Sequence, residues 1–430
     1  MEKQIRVRFA PSPTGGLHLG GIRTALFNYL FAKKNKGIFI VRTEDTDQSR
    51  FVAGAEDYIF NCLQWCGITP DESTKNGGNY GPYRQSERKE LYLKYALQLI
   101  EKGVAYYAFD TAADLDLLRK ENPNFQYNAT NRNKLKNSLN LSPTEVQNLL
   151  DNNVPFVVRI KVPANEEIIL SDLIRGDIHF NTNNIDDKVL LKADGMPTYH
   201  LAVVVDDFEM KITHAFRGEE WLSSAPIHYI LWKYLFGGEN MPLWAHLPLI
   251  LKPTGKGKLS KRDGVQFGFP IYGIEWQDAT NTTPTTGFKE MGFLPEAFVN
   301  FLALLGWNDG TNQEIFTMDE LIEKFDISHI HKAGAKFDYE KARWFNQQWI
   351  KNMDDTRIYE ELKDLLKNHN IPIDDKDKII SLIHIVKERC ILLTDFIPQL
   401  IYFFNAPTEY NTKNIKNWDE GKSQCLQQFV

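Results

Sequence analysis

Cysteine is scarce in this 430-residue chain, with four copies at positions 62, 66, 390 and 425. Cys62 and Cys66 are spaced to share a helix face, but no second cysteine or histidine pair lies near them to complete a zinc tetrahedron. Reduced, packed thiols are the expectation. Long apolar runs are missing too. The longest, Ala297 to Trp307, is interrupted by Asn300 and falls short of the ~20 residues that cross a bilayer. No basic head, apolar middle and small-residue cleavage site opens the chain, so a cytoplasmic location away from membranes is expected. Net positive charge is absent as well: a balance of −6 argues against bulk attraction to a polyanion. Finally, the two familiar nucleotide loops are not present. Gly16 and Gly21 have P-loop spacing, but Ile22 and Arg23 follow where Lys-Ser/Thr is required, and G-x-G-x-x-G does not occur.

What is present is an ordinary folded composition, 43% apolar and 25% charged, long enough for two to four domains. "QIRVRF" at 4–9 alternates as a strand does, and Pro11 and Pro13 then force a loop. From Ile22 the apolar positions recur at helical spacing up to "KKNKG", and "IFIVRTEDTD" from 38 reads as a second strand ending in carboxylates. Strand, Gly-rich turn, helix, strand is a βαβ unit, which predicts a parallel sheet. Helices are expected near 53–66 and 86–102. A polar Asn- and Lys-rich block at 120–153 and the strand-like "PFVVRIKVP" suggest an insertion with its own small sheet. "WQDATNTTPTTG" at 276–287 reads as a surface loop, and helical patterning dominates from about 336.

Two motifs carry chemistry. "SPTGGLHLGG" at 12–21 places His18 and Gly20 between the first strand and the first helix, where parallel α/β folds bind nucleotides. Free N–H groups and the helix dipole there favour phosphate oxygens, and glycine lets a flat base approach the backbone. On its own the stretch is equally a tight turn with a surface histidine. "GKGKLSKRDG" at 255–264 sets Lys256, Lys258, Lys261 and Arg262 on a Gly-flanked loop suited to a polyphosphate. On its own it is a weak signal, since a charge run is usually a solvated face. Local basicity supports the pair: Pro242 to Arg262 holds four lysines and one arginine with no acid, and the first forty residues hold seven basic residues against Glu2.

Taken together, "HLGG" and "KLSKR" resemble the two signatures of class I aminoacyl-tRNA synthetases. "RFAPSPTGGLHLGGIRTALFNYLFA", "VRTEDTDQSR", "GPYRQSER", "GMPTYHLAVVVDD", "FRGEEWL" and "KLSKRDG" fall in the order seen in bacterial-type glutamyl-tRNA synthetases. The resemblance runs from Arg6 to about Phe404. It implies an α/β fold: a Rossmann-type parallel-sheet catalytic domain with an inserted α+β domain, a linking segment and a helical C-terminal domain. The implied boundaries are 1–105 and 188–245 for the catalytic halves, 106–187 for an acceptor-stem-binding insert, 246–335 for the KLSKR loop and stem-contact region, and 336–430 for a helical anticodon-binding region. The last reads as cut short at "CLQQFV".

The implied activity is formation of glutamyl-adenylate from ATP and L-glutamate, then transfer to tRNA(Glu). The substrate's own carboxylate is the nucleophile, so positioning and stabilisation of developing charge are what the protein supplies. Matching family positions make His18, Lys258 and Lys261 the catalytic candidates. Glutamate falls to Arg8, Ala10, Ser12, Glu44, Tyr199 and Arg217. ATP falls to His18, Gly20, Glu220, Trp221, Ile250, Leu251, Lys258, Ser260 and Lys261. Arginine forks suit a carboxylate, and glutamine would leave such a charge unpaired; the plainer reading makes Arg8 and Arg217 structural ion-pair partners. Asp45 and Asp47 are expected to brace the strand end. Mg²⁺ is expected with ATP, held by phosphates. No metal ligand in the protein and no zinc are expected, because Ala108 and Asp110 stand where some relatives carry cysteine. Val203 replaces an asparagine of relatives in the pocket wall. A monomer is the family's usual form. A non-discriminating enzyme that also charges tRNA(Gln) and a silent RNA-binding homologue are the alternatives; Lys387 and Arg389 are the basic candidates for anticodon contact.

Overall fold

The computed structural model describes residues 4–277, 283–405 and 420–427. The chain divides into two compact units, Met1–Phe345 and Asn346–Val430. Twelve strands occur among the described residues: β1 (Arg6–Phe9), β2 (Ile38–Val41), β3 (Glu72–Ser73), β4 (Ala105–Ala108), β5 (Val157–Ile160), β6 (Glu167–Asp172), β7 (Gly176–Asn181), β8 (Val189–Leu191), β9 (His214–Gly218), β10 (Leu243–Leu247), β11 (Ile250–Leu251) and β12 (Ala335–Lys336).

The main sheet of the first unit has the order β3-β2-β1-β9-β10-β6-β7. It is parallel throughout except for the final β6–β7 hairpin. Chain order reverses at β1: β2 lies on one side and β9 on the other. Loops leaving β1 and β9 therefore diverge, and a crevice opens at their carboxyl ends, where open α/β sheets bind ligands. The predicted βαβ unit is this centre, with helix α1 (Leu19–Lys34) crossing from β1 to β2. Lys33 and Lys34 occupy its last turn, where the helix dipole favours cations.

The alternation of "QIRVRF" suggests one wet face, yet all four β1 residues are buried. Their arginines tolerate this because each meets a carboxylate: Arg6 with Glu72 at 2.7 Å and Arg8 with Asp207 at 2.8 Å.

The block 106–187 divides. β4 and β5 pair with β8 in a separate antiparallel sheet, over a small core that includes Tyr106, Ala108, Leu115, Tyr127 and Leu135. The β6–β7 hairpin instead continues the main sheet, with Asp172 in register with Trp244 of β10. The polar stretch at 120–153 holds a helix, Pro143–Asp151, whose entry is fixed by a reciprocal Ser142–Glu145 capping box. Asp110 accepts from the Tyr127 hydroxyl at 2.9 Å and from the Lys136 amide at 2.9 Å, so it braces this small domain.

The stretch 276–287 does not begin as a surface loop. Trp276 is buried, exchanges backbone hydrogen bonds with Thr285, and packs edge-on against Tyr58 at 4.7 Å. Residues 278–282 of that stretch lie outside the described residues.

Within the second unit the described elements are helical. Asp355–Asn368 and Lys376–Val386 bury Ile358, Leu362 and Leu366, and Ile379, Ile383 and Val386, respectively. Lys387, a candidate anticodon contact, is ion-paired with Asp355 at 2.6 Å. Cys62, Cys66 and Cys390 are buried free thiols, and burial pushes Cys390 up to about 12. The Cys425 side chain lies outside the described residues. No described helix is long and apolar enough to cross a membrane.

Candidate active site

A cavity of about 1030 Å³ opens at the carboxyl ends of the central strands. Residues after β1 (Ala10 to Gly21), after β2 (Glu44 to Asp47), at the end of β9 (Arg217, Gly218) and after β10 (Pro248 to Ile250) line it. The KLSKR segment closes one side through Lys258, Leu259 and Ser260. His18, which belongs to the first motif, and Lys258, which belongs to the second, therefore face one space although they stand 240 positions apart in the chain. Backbone pairing explains how the halves meet, because the Leu19 amide donates to the Ile271 carbonyl at 3.0 Å, just beyond the lysine loop.

His18 is the N-cap of α1. Its Nδ1 accepts from the Gly20 amide at 3.2 Å. A neutral ring that accepts at Nδ1 carries its proton on Nε2, which makes it a donor. Gly16 is required by packing, since a Cβ there would sit 2.7 Å from both Trp276 and Tyr272. At Gly20 a Cβ would meet only the His18 ring, at 3.2 Å, so this backbone is open to an approaching group.

Two arginines of the site differ in their partners. Arg8 donates Nε to Asp207 at 2.8 Å and Nη1 to the Phe216 carbonyl at 3.1 Å. Asp207 also accepts from the wholly buried Arg42 at 2.9 Å. The ion-pair reading therefore fits Arg8. Arg217 has no carboxylate within ion-pair distance among the described residues. It donates Nε to His246 Nε2 at 2.9 Å and Nη1 to His228 Nδ1 at 2.8 Å, and its buried Nη2 has no partner. Tyr199 stands beside it, 3.5 Å from hydroxyl to Nη1, with its ring tilted against Trp221 at 4.5 Å.

Glu44 is buried and accepts from Arg42 at 3.1 Å. Burial raises its carboxyl to about 6, although Arg42 and Arg8 pull the other way. Asp45 accepts from the Ser86 amide and hydroxyl at 2.8 and 2.6 Å, bracing the turn at the strand end, and exposed Asp47 accepts from the Ser49 hydroxyl at 2.6 Å. Val203 lines the cavity one turn after Tyr199.

Glu220 accepts from Lys258 at 2.8 Å across the cavity. Burial pushes its carboxyl up, but the Lys258 hydrogen bond and charge, its own backbone amide and the nearby His18 together outweigh that and hold it below the ordinary range. The lysine loop turns on Gly255 and Gly257, at φ 76° and 79°, and Lys252 ties its base to Asp263 at 2.9 Å. Ser260 donates both its amide and hydroxyl to Asp263 just before the helix Lys261–Phe267. The Lys261 side chain lies outside the described residues.

Of the residues singled out in the sequence, Arg8, Ala10, Ser12, His18, Gly20, Glu44, Tyr199, Arg217, Glu220, Trp221, Ile250, Lys258 and Ser260 line the cavity. Leu251 does not: its carbonyl accepts from the Phe337 amide, and its strand pairs with β12. The structure adds residues the sequence did not flag. Lys192 lines the cavity and reaches the Thr46 carbonyl at 3.0 Å. Arg23, buried, donates to the carbonyls of Leu305 and Pro248. His228 and His246 hold Arg217. Only the register of β9 against β10, which sets His246 opposite Arg217, would have pointed to one of them. Among the described residues no group of three His, Cys, Asp or Glu side chains is placed to hold a metal.

Comparison with known proteins agrees with this geometry. The family described as "tRNA synthetases class I (E and Q), catalytic domain" matches residues 4–344, and an anticodon binding domain matches 347–430. The glutamate–tRNA ligase of Flavobacterium psychrophilum is 53% identical over 434 residues, covering 100% of this chain and 86% of that protein. That of Flavobacterium johnsoniae is 52% identical with the same coverage. A crystal structure of a glutamate tRNA ligase from Elizabethkingia meningosepticum, in complex with its amino acid, superposes with a TM-score of 0.95 at 48% identity, covering 99% of this chain and 85% of that one. The chain belongs to the class I aminoacyl-tRNA synthetases of the E and Q group and, within it, to the glutamate–tRNA ligase family.

Proposed function

We propose that this chain is a glutamate–tRNA ligase: it activates L-glutamate with ATP and transfers the glutamyl group to tRNA(Glu). The observation that carries the reading is the single cavity in which His18, Glu44, Arg217, Glu220 and Lys258 converge. In the first step a carboxylate oxygen of glutamate attacks the α-phosphorus of ATP and pyrophosphate leaves. In the second a ribose hydroxyl at the tRNA terminus attacks the carbonyl of the mixed anhydride, and AMP leaves.

The ammonium of glutamate falls to Glu44 and the Ala10 carbonyl, with Ser12 beside them. Its side-chain carboxylate falls to Arg217, supported by Arg8 and Tyr199. Arg217 suits this role because its buried Nη2 is unpaired, a state that a bound carboxylate would relieve. Glu220, Trp221 and the backbone at Gly20 and Ile250 are assigned to adenosine, Leu251 falling outside the cavity, and Ser260 to the loop that covers it. His18 through Nε2, Lys258 and Lys261 donate to phosphate oxygens as charge builds. For Lys258 this means leaving Glu220. Mg²⁺ accompanies ATP on its phosphate oxygens and is assigned no protein ligand, and zinc is assigned no role. A cytoplasmic monomer remains the working form.

The test is aminoacylation and tRNA-dependent ATP–pyrophosphate exchange with purified tRNA(Glu) and tRNA(Gln), using glutamate and glutamine in turn. Glutamate-dependent exchange on tRNA(Glu), with Arg217→Ala abolishing glutamate use but not ATP binding, is expected. Equal use of glutamine and glutamate would overturn the pocket assignment. Charging of tRNA(Gln) with glutamate would identify a non-discriminating enzyme.

A further inference from the structure

Arg217 is held by an unusual set of partners. Where Arg6, Arg8, Arg42 and Arg88 each meet a carboxylate, Arg217 donates to two imidazoles and stacks its guanidinium carbon 5.0 Å from the Trp244 ring. The tautomer of each imidazole follows from its contacts. His246 accepts from Arg217 at Nε2, so its proton sits on Nδ1, which lies 2.6 Å from Asp172. Asp172 is itself fixed by the backbone amides of Ile174 and Arg175 at 3.0 Å each. His228 accepts from Arg217 at Nδ1, so its proton sits on Nε2, which faces His200 Nδ1 at 3.3 Å. Burial pushes all three imidazoles down, and the Arg217 charge pushes each further, so they stay neutral near pH 7.

We infer that His228 and His246 are positioning residues that set the preference of the site for a side-chain carboxylate: they orient Arg217 without cancelling its charge. The inference rests on the assignment of Arg217 to the glutamate side chain. A carboxylate in either place would satisfy the same guanidinium donors, but it would also neutralise the group before substrate arrives. A neutral amide would then fit almost as well. With imidazoles, Asp172 reaches Arg217 only through the His246 ring. The guanidinium therefore keeps an unmet demand for a negative partner, and a ligand that brings none leaves a buried charge unpaired. Asp172 and His200 act one bond further out by fixing which ring nitrogen accepts.

The test uses the full chain with tRNA(Glu). In His228→Asn the amide oxygen stands where Nδ1 stood, and in His246→Gln it stands where Nε2 stood, so both variants keep a neutral acceptor. His228→Leu and His246→Leu remove it. Removing an acceptor should raise KM for glutamate about 10- to 100-fold and leave KM for ATP within about twofold, while the amide variants stay within about threefold of the parent. His228→Asp supplies a carboxylate and should narrow the glutamate-over-glutamine ratio of kcat/KM by at least about tenfold. Unchanged glutamate KM in both leucine variants, an equal rise in the ATP KM, failure of the amide variants to rescue, or an unaltered ratio in His228→Asp would each overturn the inference. A parent enzyme that uses glutamate beside unresponsive variants sinks this inference alone. A parent enzyme that does not use glutamate sinks the functional assignment with it.

Discussion

Replacing His18 by asparagine separates two tasks performed by one ring. Nδ1 caps α1 by accepting from the Gly20 amide at 3.2 Å, and Nε2 is the donor assigned to phosphate. The asparagine amide oxygen can take the place of Nδ1, and asparagine is among the strongest N-cap residues, but nothing in it reaches the place of Nε2. His18→Asn should therefore keep or slightly raise stability, whereas His18→Ala should lose about 1 kcal/mol, roughly 1–2 °C for a unit of this size. Both should lose the transition-state donor, about 3–4 kcal/mol, or about 10²–10³ in kcat. Thermal unfolding and tRNA-dependent ATP–pyrophosphate exchange measure the two effects separately. If His18→Asn retains kcat within about threefold, the phosphate role is wrong; if it melts with His18→Ala, the cap role is wrong.

Glu44 should set an acid limit on substrate use. Its buried carboxyl is raised to about 6, and only the ionised form attracts an ammonium, so kcat/KM for glutamate should fall as pH drops through that value. A flat profile between about pH 5 and 7 would refute this. Glu220→Gln removes an ion pair that is substantially exposed on both sides, so stability should change by less than about 1 kcal/mol while KM for ATP shifts, as titrated by exchange kinetics. Gly16→Ala should destabilise by about 1–3 kcal/mol, because the new Cβ meets two aromatic rings at 2.7 Å; an unchanged melting temperature would show that the rings yield freely. His200 is lowered to about 4 by burial, so the unfolded chain takes up its proton first as pH falls from about 6.5. Native stability should drop across that window by at most about 3 kcal/mol from this group, and His200→Gln should remove that part of the slope in urea titrations.

Helical and strand periodicity in the first 41 residues was enough to read β1, α1 and β2, because buried local elements impose their spacing directly on the chain. The motif chemistry was legible for the same reason. A Gly-rich turn at a helix start and a lysine loop need particular residue types, whatever surrounds them. Partnership was not legible in that way. The two arginines of the pocket turned out differently: Arg8 is neutralised by Asp207, 199 positions away, and Arg217 is held by imidazoles 11 and 29 positions away. Position 276 looked like part of a polar loop, and it is buried because the fold brings it under Gly16. The hairpin at 167–181 could not be read as an extension of the main sheet, because alternation reveals a face but not a neighbour. Residue types and their local spacing thus determined which chemistry the chain can supply. The register of β9 against β10, and the packing of helix Ala225–Phe236 near them, decided which charges remain uncancelled, since that balance depends on distances between segments far apart along the chain.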